Sequence, residues 1–272
     1  MRLPVLVFDI ETLTDLKSGA HLYGLDLEQA DLEQALTKLR RQESGMDFQR
    51  LPLHEIVCIS GLWIDENGGM RLFSFSQAQW SEAEILSKFL SIFDKRHPTL
   101  VSWNGSQFDL PVILFRAMYH GLSAPSLFDQ GEIDQQKRYN NYQNRYHHRH
   151  VDLMDVMAMF NGRHFQKLDD VAHLLGYPGK RGVSGYFIPD YVKHQQWLEL
   201  SSYCEGDVLN TWLIYLRWSL LKGQMLSEDH RLWIEATITY LQTQPQQQDF
   251  LQSWRETSQH TAFTASDFSG PL

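Results

Sequence analysis

Val5-Leu6-Val7-Phe8-Asp9-Ile10-Glu11-Thr12 decides the reading of this chain. The run is apolar up to Phe8 and reads as a buried central strand. Successive side chains of a strand point to opposite faces, so Asp9 and Glu11 project together, their alpha carbons roughly 7 Å apart, while Phe8 and Ile10 enter the core. Two anions on one face repel, and burying either without a partner costs several kcal/mol. A bound cation accounts for the pair, and oxygen donors favour a hard divalent ion, Mg2+ or Mn2+.

Working outward, Leu25, Leu32, Leu36 and Leu39 recur at helical spacing, which predicts a helical insertion over 13–50 before the next strand. Glu55 to Ile64 and Met70 to Phe75 flank Asp65-Glu66-Asn67-Gly68-Gly69, a strong hairpin signal, so strands 1 to 3 read as one antiparallel meander. Ser81 and Glu84 form a capping-box pattern for a helix over Glu82 to Arg96, with Ile85, Phe89 and Phe93 on its apolar face. Thr99 to Trp103 is a fourth strand, running into Asn104-Gly105-Ser106-Gln107-Phe108-Asp109 and a helix that Pro111 can begin. His150 to Met154 makes a fifth strand and Leu168 to Leu175 a short helix, followed by a glycine-containing loop from Lys180 to Pro189. A long helix runs from Trp197 to Leu221, and a further helix, a glutamine-rich joint and a polar tail follow. The division is 1–222 for the α/β domain and 223–272 for a C-terminal helical extension and polar tail.

At 272 residues, 43% of them hydrophobic and 12% aromatic, the chain can bury a large core. No apolar run approaches a membrane span and Met1-Arg2-Leu3-Pro4 does not begin a secretory signal, so a cytoplasmic protein is expected. The two cysteines, Cys58 and Cys204, read as small core residues. A net charge of -9 argues against coating nucleic acid by bulk electrostatics. Between Lys137 and His150, however, the chain is basic and aromatic with no acid, a local surface suited to phosphates. His147, His148 and His150 read there as a phosphate-facing or solvated loop rather than as metal ligands.

The chemistry lies in separated segments. Asp109 follows strand 4, and Tyr203 precedes Asp207 by four residues on the late helix, so phenol and carboxylate share a face. With Asp9 and Glu11 these make sense as a two-metal phosphodiester hydrolase. Asp9 would bridge both ions, Glu11 and Asp207 would complete one shell, and Asp109 would hold the second ion. Tyr203 would orient the attacking water.

FDIET with Asp9 and Glu11, WNGSQFDLPVI with Asn104, Phe108 and Asp109, and YCEGD with Tyr203 and Asp207 resemble the three exonuclease motifs of the DEDD superfamily, in its tyrosine-containing branch. The likeness is to the proofreading exonuclease domain of family B DNA polymerases and to stand-alone relatives of it, over approximately Leu3 to Leu221. It implies a ribonuclease H-like α/β fold, a mixed five-stranded sheet flanked by helices. It also implies removal of nucleotides from the 3′ end of single-stranded nucleic acid, DNA ahead of RNA. A chain of this length leaves no room for a polymerase domain, so proofreading in cis is not expected. By the same resemblance Asn104 and Phe108 contact the terminal nucleotides, and Ile10, Thr12 and Leu13 line the pocket for the 3′ end. Arg145, Arg149, Lys180 and Arg181 are candidate phosphate contacts. Two readings compete: an RNA-processing exoribonuclease on the same scaffold, and a nucleic-acid-binding or partner-docking module that uses the site little. The intact carboxylates argue against the second, and no protein partner is named by the sequence.

Overall fold

A computed structural model describes residues 2–181 and 185–260. One five-stranded sheet, in the order β3-β2-β1-β4-β5, organises the chain. Its strands are β1 (Val5–Thr14), β2 (His54–Ile64), β3 (Met70–Ser76), β4 (Thr99–Ser102) and β5 (His150–Asp152). The first three pair antiparallel, whereas β4 runs parallel to β1 and β5 parallel to β4. The expected mixed sheet with an antiparallel meander is therefore the observed one. The carboxyl ends of β1 and β4 point the same way, so side chains presented beyond them lie at one end of the sheet.

The helices are α1 (Leu16–Tyr23), α2 (Gln29–Ser44), α3 (Glu82–Arg96), α4 (Asp109–Tyr119), α5 (Pro125–Phe128), α6 (Leu153–Met157), α7 (Leu168–Leu174), α8 (Ile188–Lys193), α9 (Trp197–Leu221), α10 (Ser227–Gln242) and α11 (Gln248–His260). They cover both faces of the sheet. Val5, Val7, Leu62, Ile64 and Val101 pack against α7, α9, α10 and α11 through Val171, Trp212, Leu213, Leu241, Phe250 and Trp254. Leu6, Phe8, Ile10, Ile59 and Leu100 pack against α3 and α4 through Ile85, Phe89, Phe93, Val112 and Ile113. Alternation along β1 thus sends its odd-numbered residues, Asp9 and Glu11 among them, toward α9. Helices α10 and α11 belong to the same apolar core as α9, and the Trp212 indole N–H donates to Thr237 Oγ1 at 3.0 Å.

A bulge interrupts the β1–β2 register: Glu11 faces Cys58, but Thr12 faces Ile56, leaving Val57 unpaired. The bulge reverses the phase of β2, so that Val57 and Cys58 both pack with Leu13, Tyr203 and Cys204. An extra residue of this kind bends a strand locally, and it falls beside the acidic pair.

Several boundaries differ from the sequence expectation for local reasons. The insertion holds two helices instead of one over Leu25 to Arg41. Asp15 caps α1 by accepting from Ser18 N at 2.8 Å, and Gly24, at φ +62°, closes it in a left-handed turn that most side chains resist. The fifth strand ends at Asp152 rather than Met154, because the Asp152 carboxylate caps α6. The capping box of Ser81 and Glu84 forms as expected.

The insertion is tied to the sheet by a buried ion cluster. Arg116 of α4 forks onto Glu82 with contacts of 2.8 and 2.5 Å and reaches Asp15 at 2.5 Å. Glu82 also accepts from Ile56 N at 2.7 Å. Burial alone would weaken the guanidinium's hold on its proton, but Glu82 and Asp15 outweigh it and raise the pKa. No helix among the described residues is long and apolar enough to cross a membrane.

Candidate active site

The end of β1, the turn after β4 and the face of α9 meet in one cleft. Asp9 keeps a partial opening to solvent, while Glu11, Asp109, Tyr203 and Asp207 are buried. Asp9, Glu11 and Cys204 each bring one ligand-type atom within 4.8 Å of the others. The Cys204 thiol donates weakly to Asp9, 3.5 Å from its carbonyl and 3.7 Å from Oδ2. Burial pushes that thiol's pKa well above its usual value, and Cys58 beside it adds to the effect, so the sulfur stays protonated.

Asp109 opens α4, and its Oδ1 accepts from Ile10 N at 3.2 Å, joining the turn to β1. The turn is built for close approach. A side chain at Gly105 would begin 2.3 Å from Ser102 Oγ, and Asn104 adopts φ +64°, which asparagine tolerates better than most residues. Asp152 holds the turn from β5, accepting from Asn104 N and Ser106 N at 2.9 Å each and from the Ser106 hydroxyl. Ser102 in turn meets His150 Nε2 at 2.8 Å.

Charges in the cleft disfavour one another. Burial raises the Asp9 pKa well above the carboxylate range, and Asp109 and Asp207 raise it further. Glu11 is raised by burial and then by Asp9 and Asp207. Asp109 is pushed up to about 7, chiefly by burial and in part by Asp152, against the pull of its backbone hydrogen bonds. Asp9, Glu11 and Asp109 are raised by desolvation and by neighbouring acids, and Asp207 by desolvation against the pull of Lys180, while Asp9 and Glu11 bring together oxygen donors of the kind a hard divalent cation takes. Cys204, protonated and buried, completes no such set.

Lys180 supplies positive charge. Its Nζ donates to Asp207 Oδ2 at 2.6 Å and to Tyr203 Oη at 2.7 Å. Burial would lower its pKa, but Asp207 and Tyr203 outweigh that and raise it. The Tyr203 pKa is also raised, by burial and then by Asp207 and Glu11, so the phenol keeps its proton. The lysine is positioned from below: Asn210, one turn after Gly206 on α9, clamps both backbone groups of Gly179, at 3.1 and 3.0 Å. Lys180 N also donates to Asp169 at 2.6 Å.

The other residues expected from the sequence lie at varied distances from this chemistry. Ile10 is buried on the α3/α4 side and offers the cleft only its backbone. The Thr12 hydroxyl meets His54 Nδ1 at 2.9 Å. Leu13 packs with Tyr203 and Cys204. Phe108 immediately precedes Asp109 and touches the rings of His54 and Phe48. Arg181 stacks on Phe250. Several cations of the basic segment are engaged within the protein. Lys137 is buried 3.4 Å from Asp129, Arg145 pairs with Asp155 at 2.5 Å, and Arg149 donates to the carbonyl of His97 at 2.8 Å. Lys137 and Arg145 thus face acids, while Arg149 keeps its charge beside a neutral carbonyl and Arg138 is exposed. Sequence reading gave Lys180 a phosphate and missed its partners. Asp152, an acid after a strand that could have joined the site directly, instead supports the turn, a role its position in sequence does not reveal.

Residues 46–257 match a family described as predicted 3′-5′ exonucleases related to the exonuclease domain of PolB. The chain belongs to this family. The matched stretch carries Asn104, Phe108, Asp109, Lys180, Tyr203 and Asp207, and Asp9 and Glu11 precede it. A family B DNA polymerase from the hyperthermophilic archaeon Pyrobaculum calidifontis is similar in structure, with a TM-score of 0.48 and 16% sequence identity. That similarity covers 88% of this chain and 29% of the polymerase. No curated protein sequence matches the chain. Membership makes this chain a predicted hydrolase of the 3′-5′ exonuclease class, and the Asp9 and Glu11 carboxylates of β1 are a candidate metal seat.

Proposed function

We propose that this exonuclease removes nucleotides from the 3′ end of single-stranded nucleic acid, DNA ahead of RNA, with two divalent ions held by Asp9, Glu11, Asp109 and Asp207. The observation that carries the reading is the meeting of these four carboxylates, each with its pKa raised, beside a protonated Tyr203. When bound, the ions would supply the charge that activates water and offsets the negative charge of the phosphate.

The chain's own residues do the rest. Asp9, which keeps a partial opening to solvent, would serve both ions, with Glu11 of β1 and Asp207 of α9 holding one of them. Tyr203, protonated and accepting from Lys180, is a hydrogen-bond donor that orients the attacking water, not a base that deprotonates it. Lys180 fixes the phenol and Asp207 together, and its ammonium offsets part of the negative charge of the surrounding acids. Phe108 offers the terminal base a stacking surface, Asn104 a polar contact, and Leu13 an apolar edge against the 3′ sugar. Residues 1–222 carry all of these groups, with 13–50 as an insertion.

Matched DNA and RNA oligonucleotides labelled at either end, incubated with Mg2+, Mn2+ or chelator, test the reading. Metal-dependent laddering from the 3′ end is expected, lost in Asp9→Ala and Asp207→Ala. Tyr203→Phe should be slowed about ten- to a thousandfold, corresponding to ~1.4 to 4 kcal/mol. Full activity in Asp9→Ala would sink the mechanism, and internal cuts in a circular single strand would make the protein an endonuclease.

A further inference from the structure

The insertion between β1 and β2 reaches the catalytic turn through one side chain. Phe48 is 55% exposed, yet its ring lies 5.4 Å from that of Phe108 and 4.8 Å from that of His54. His54 and Phe108 meet edge to face at 5.1 Å. Two segments distant in sequence, residues 48–54 and the turn at Phe108, therefore build one aromatic cluster, and its Phe48 ring is left largely uncovered beside Phe108.

The backbone around that ring is pinned. Arg40 Nε donates to the Phe48 carbonyl at 2.8 Å, and Arg41 forks onto Asp47 with two contacts of 2.6 Å. On the other side Gln49 is buried, its carbonyl 3.3 Å from His54 Nε2, and the opposite nitrogen of His54 meets Thr12. A large apolar ring exposed on a slack loop would turn inward to escape water. Here α2 and β1 hold the main chain on both sides, so Phe48 presents its free face at a fixed place.

We infer that Phe48 is a stacking position for an unpaired nucleobase of the substrate strand, one step or more upstream of the base at Phe108. The inference rests on the exonuclease reading above and extends it to the insertion, which that reading leaves without a role. Phe48 and Phe108 touch each other, so they are neighbours along a path and not two jaws on a single base. A strand whose 3′ end lies at Asp9 and Asp109 and whose terminal base covers Phe108 meets the open face of Phe48 next. Any base can stack there, which suits an enzyme that must pass every sequence. A paired duplex would keep its bases stacked on one another and leave the ring bare, so the platform also selects single strands.

The test compares two substrates. The p-nitrophenyl ester of thymidine 5′-monophosphate carries one nucleoside and ends short of Phe48, whereas a single-stranded oligothymidylate passes over it. Phe48→Ala should raise KM for the oligonucleotide 5- to 100-fold beyond its effect on the ester, and Phe48→Trp should restore it to within about threefold. In an Asp207→Asn background that blocks hydrolysis, 2-aminopurine placed at the first, second or third position from the 3′ end reports stacking directly. Phe48→Ala should relieve its quenching at one internal position and not at the terminal one. Equal effects on both substrates, an unchanged oligonucleotide KM, or no internal position that responds would overturn the assignment. If the wild type cleaves neither substrate, the exonuclease reading falls and this inference with it. If it cleaves both and Phe48→Ala changes nothing, only the role of Phe48 falls.

Discussion

Asp9→Asn should stabilise the metal-free protein and remove most of its response to divalent ions. The ligand atoms of Asp9 and Glu11 lie within 4.8 Å, where two unit charges at an effective dielectric of about 20 repel by ~3.5 kcal/mol. The folded chain can escape that repulsion by taking up a proton. Holding one on a group whose ordinary value is 3.8 costs about 4 kcal/mol at pH 7, three pH units at about 1.4 kcal/mol each. Either way Asp9 opposes folding by a few kcal/mol at neutral pH, and asparagine of the same shape carries no such cost. The sign follows from linkage. A carboxyl whose pKa is raised on folding binds more protons folded than unfolded, so its burden is absent below about pH 4 and grows as pH rises. Denaturant unfolding in chelator should show Asp9→Asn more stable by about 1 to 4 kcal/mol at pH 7.5 and level with wild type near pH 4. With Mn2+ at a hundredfold excess over its dissociation constant, wild type should gain about 2.7 kcal/mol and the variant much less. A variant less stable than wild type in chelator, or an equal gain from Mn2+ in both proteins, would refute the electrostatic account of the pair.

Other outcomes follow from named contacts. Arg116→Met leaves Asp15 and Glu82 buried without their cation and should cost about 3 to 5 kcal/mol, read as a lowered Tm. Lys180→Met should lower kcat about ten- to a thousandfold, and combining it with Tyr203→Phe should cost less than the product of the two, since the ammonium acts partly through the phenol. An additive pair would show that the two act independently. Burial lowers the pKa of His150 to about 4, so the unfolded chain takes the proton first as pH falls. The resulting stability is fully present above pH 6.5 and lost toward pH 4, up to about 3 kcal/mol, and His150→Gln should lack that part of the pH slope.

Much of the scaffold was legible in sequence because its causes are local. The hairpin at Asn67-Gly68, the capping box at Ser81 and the long helix from Trp197 to Leu221 each follow from a few adjacent residues, and all three form. The leucine spacing begins only at Leu25, after the left-handed turn at Gly24 that closes α1, so it marks α2 and leaves α1 without a periodic signal. The contacts of the basic segment were hidden for a different reason. Lys137, Arg145 and Arg149 look available beside one another, but Asp129, Asp155 and the His97 carbonyl neutralise or engage them.

The sequence by itself determined that Asp9 and Glu11 share a face, because strand alternation is a property of the backbone. It likewise determined that Tyr203 and Asp207 share a helix face. Only the tertiary structure decided what stands between and around them. Lys180 bridges phenol and carboxylate because Asn210 seats its loop on α9. Phe48 reaches Phe108 because Arg40 and His54 pin the end of the insertion. Periodicity reports which residues leave the backbone together. Charge pairing and ring contact depend on distances through space, which the order of residues does not contain until the sheet has folded.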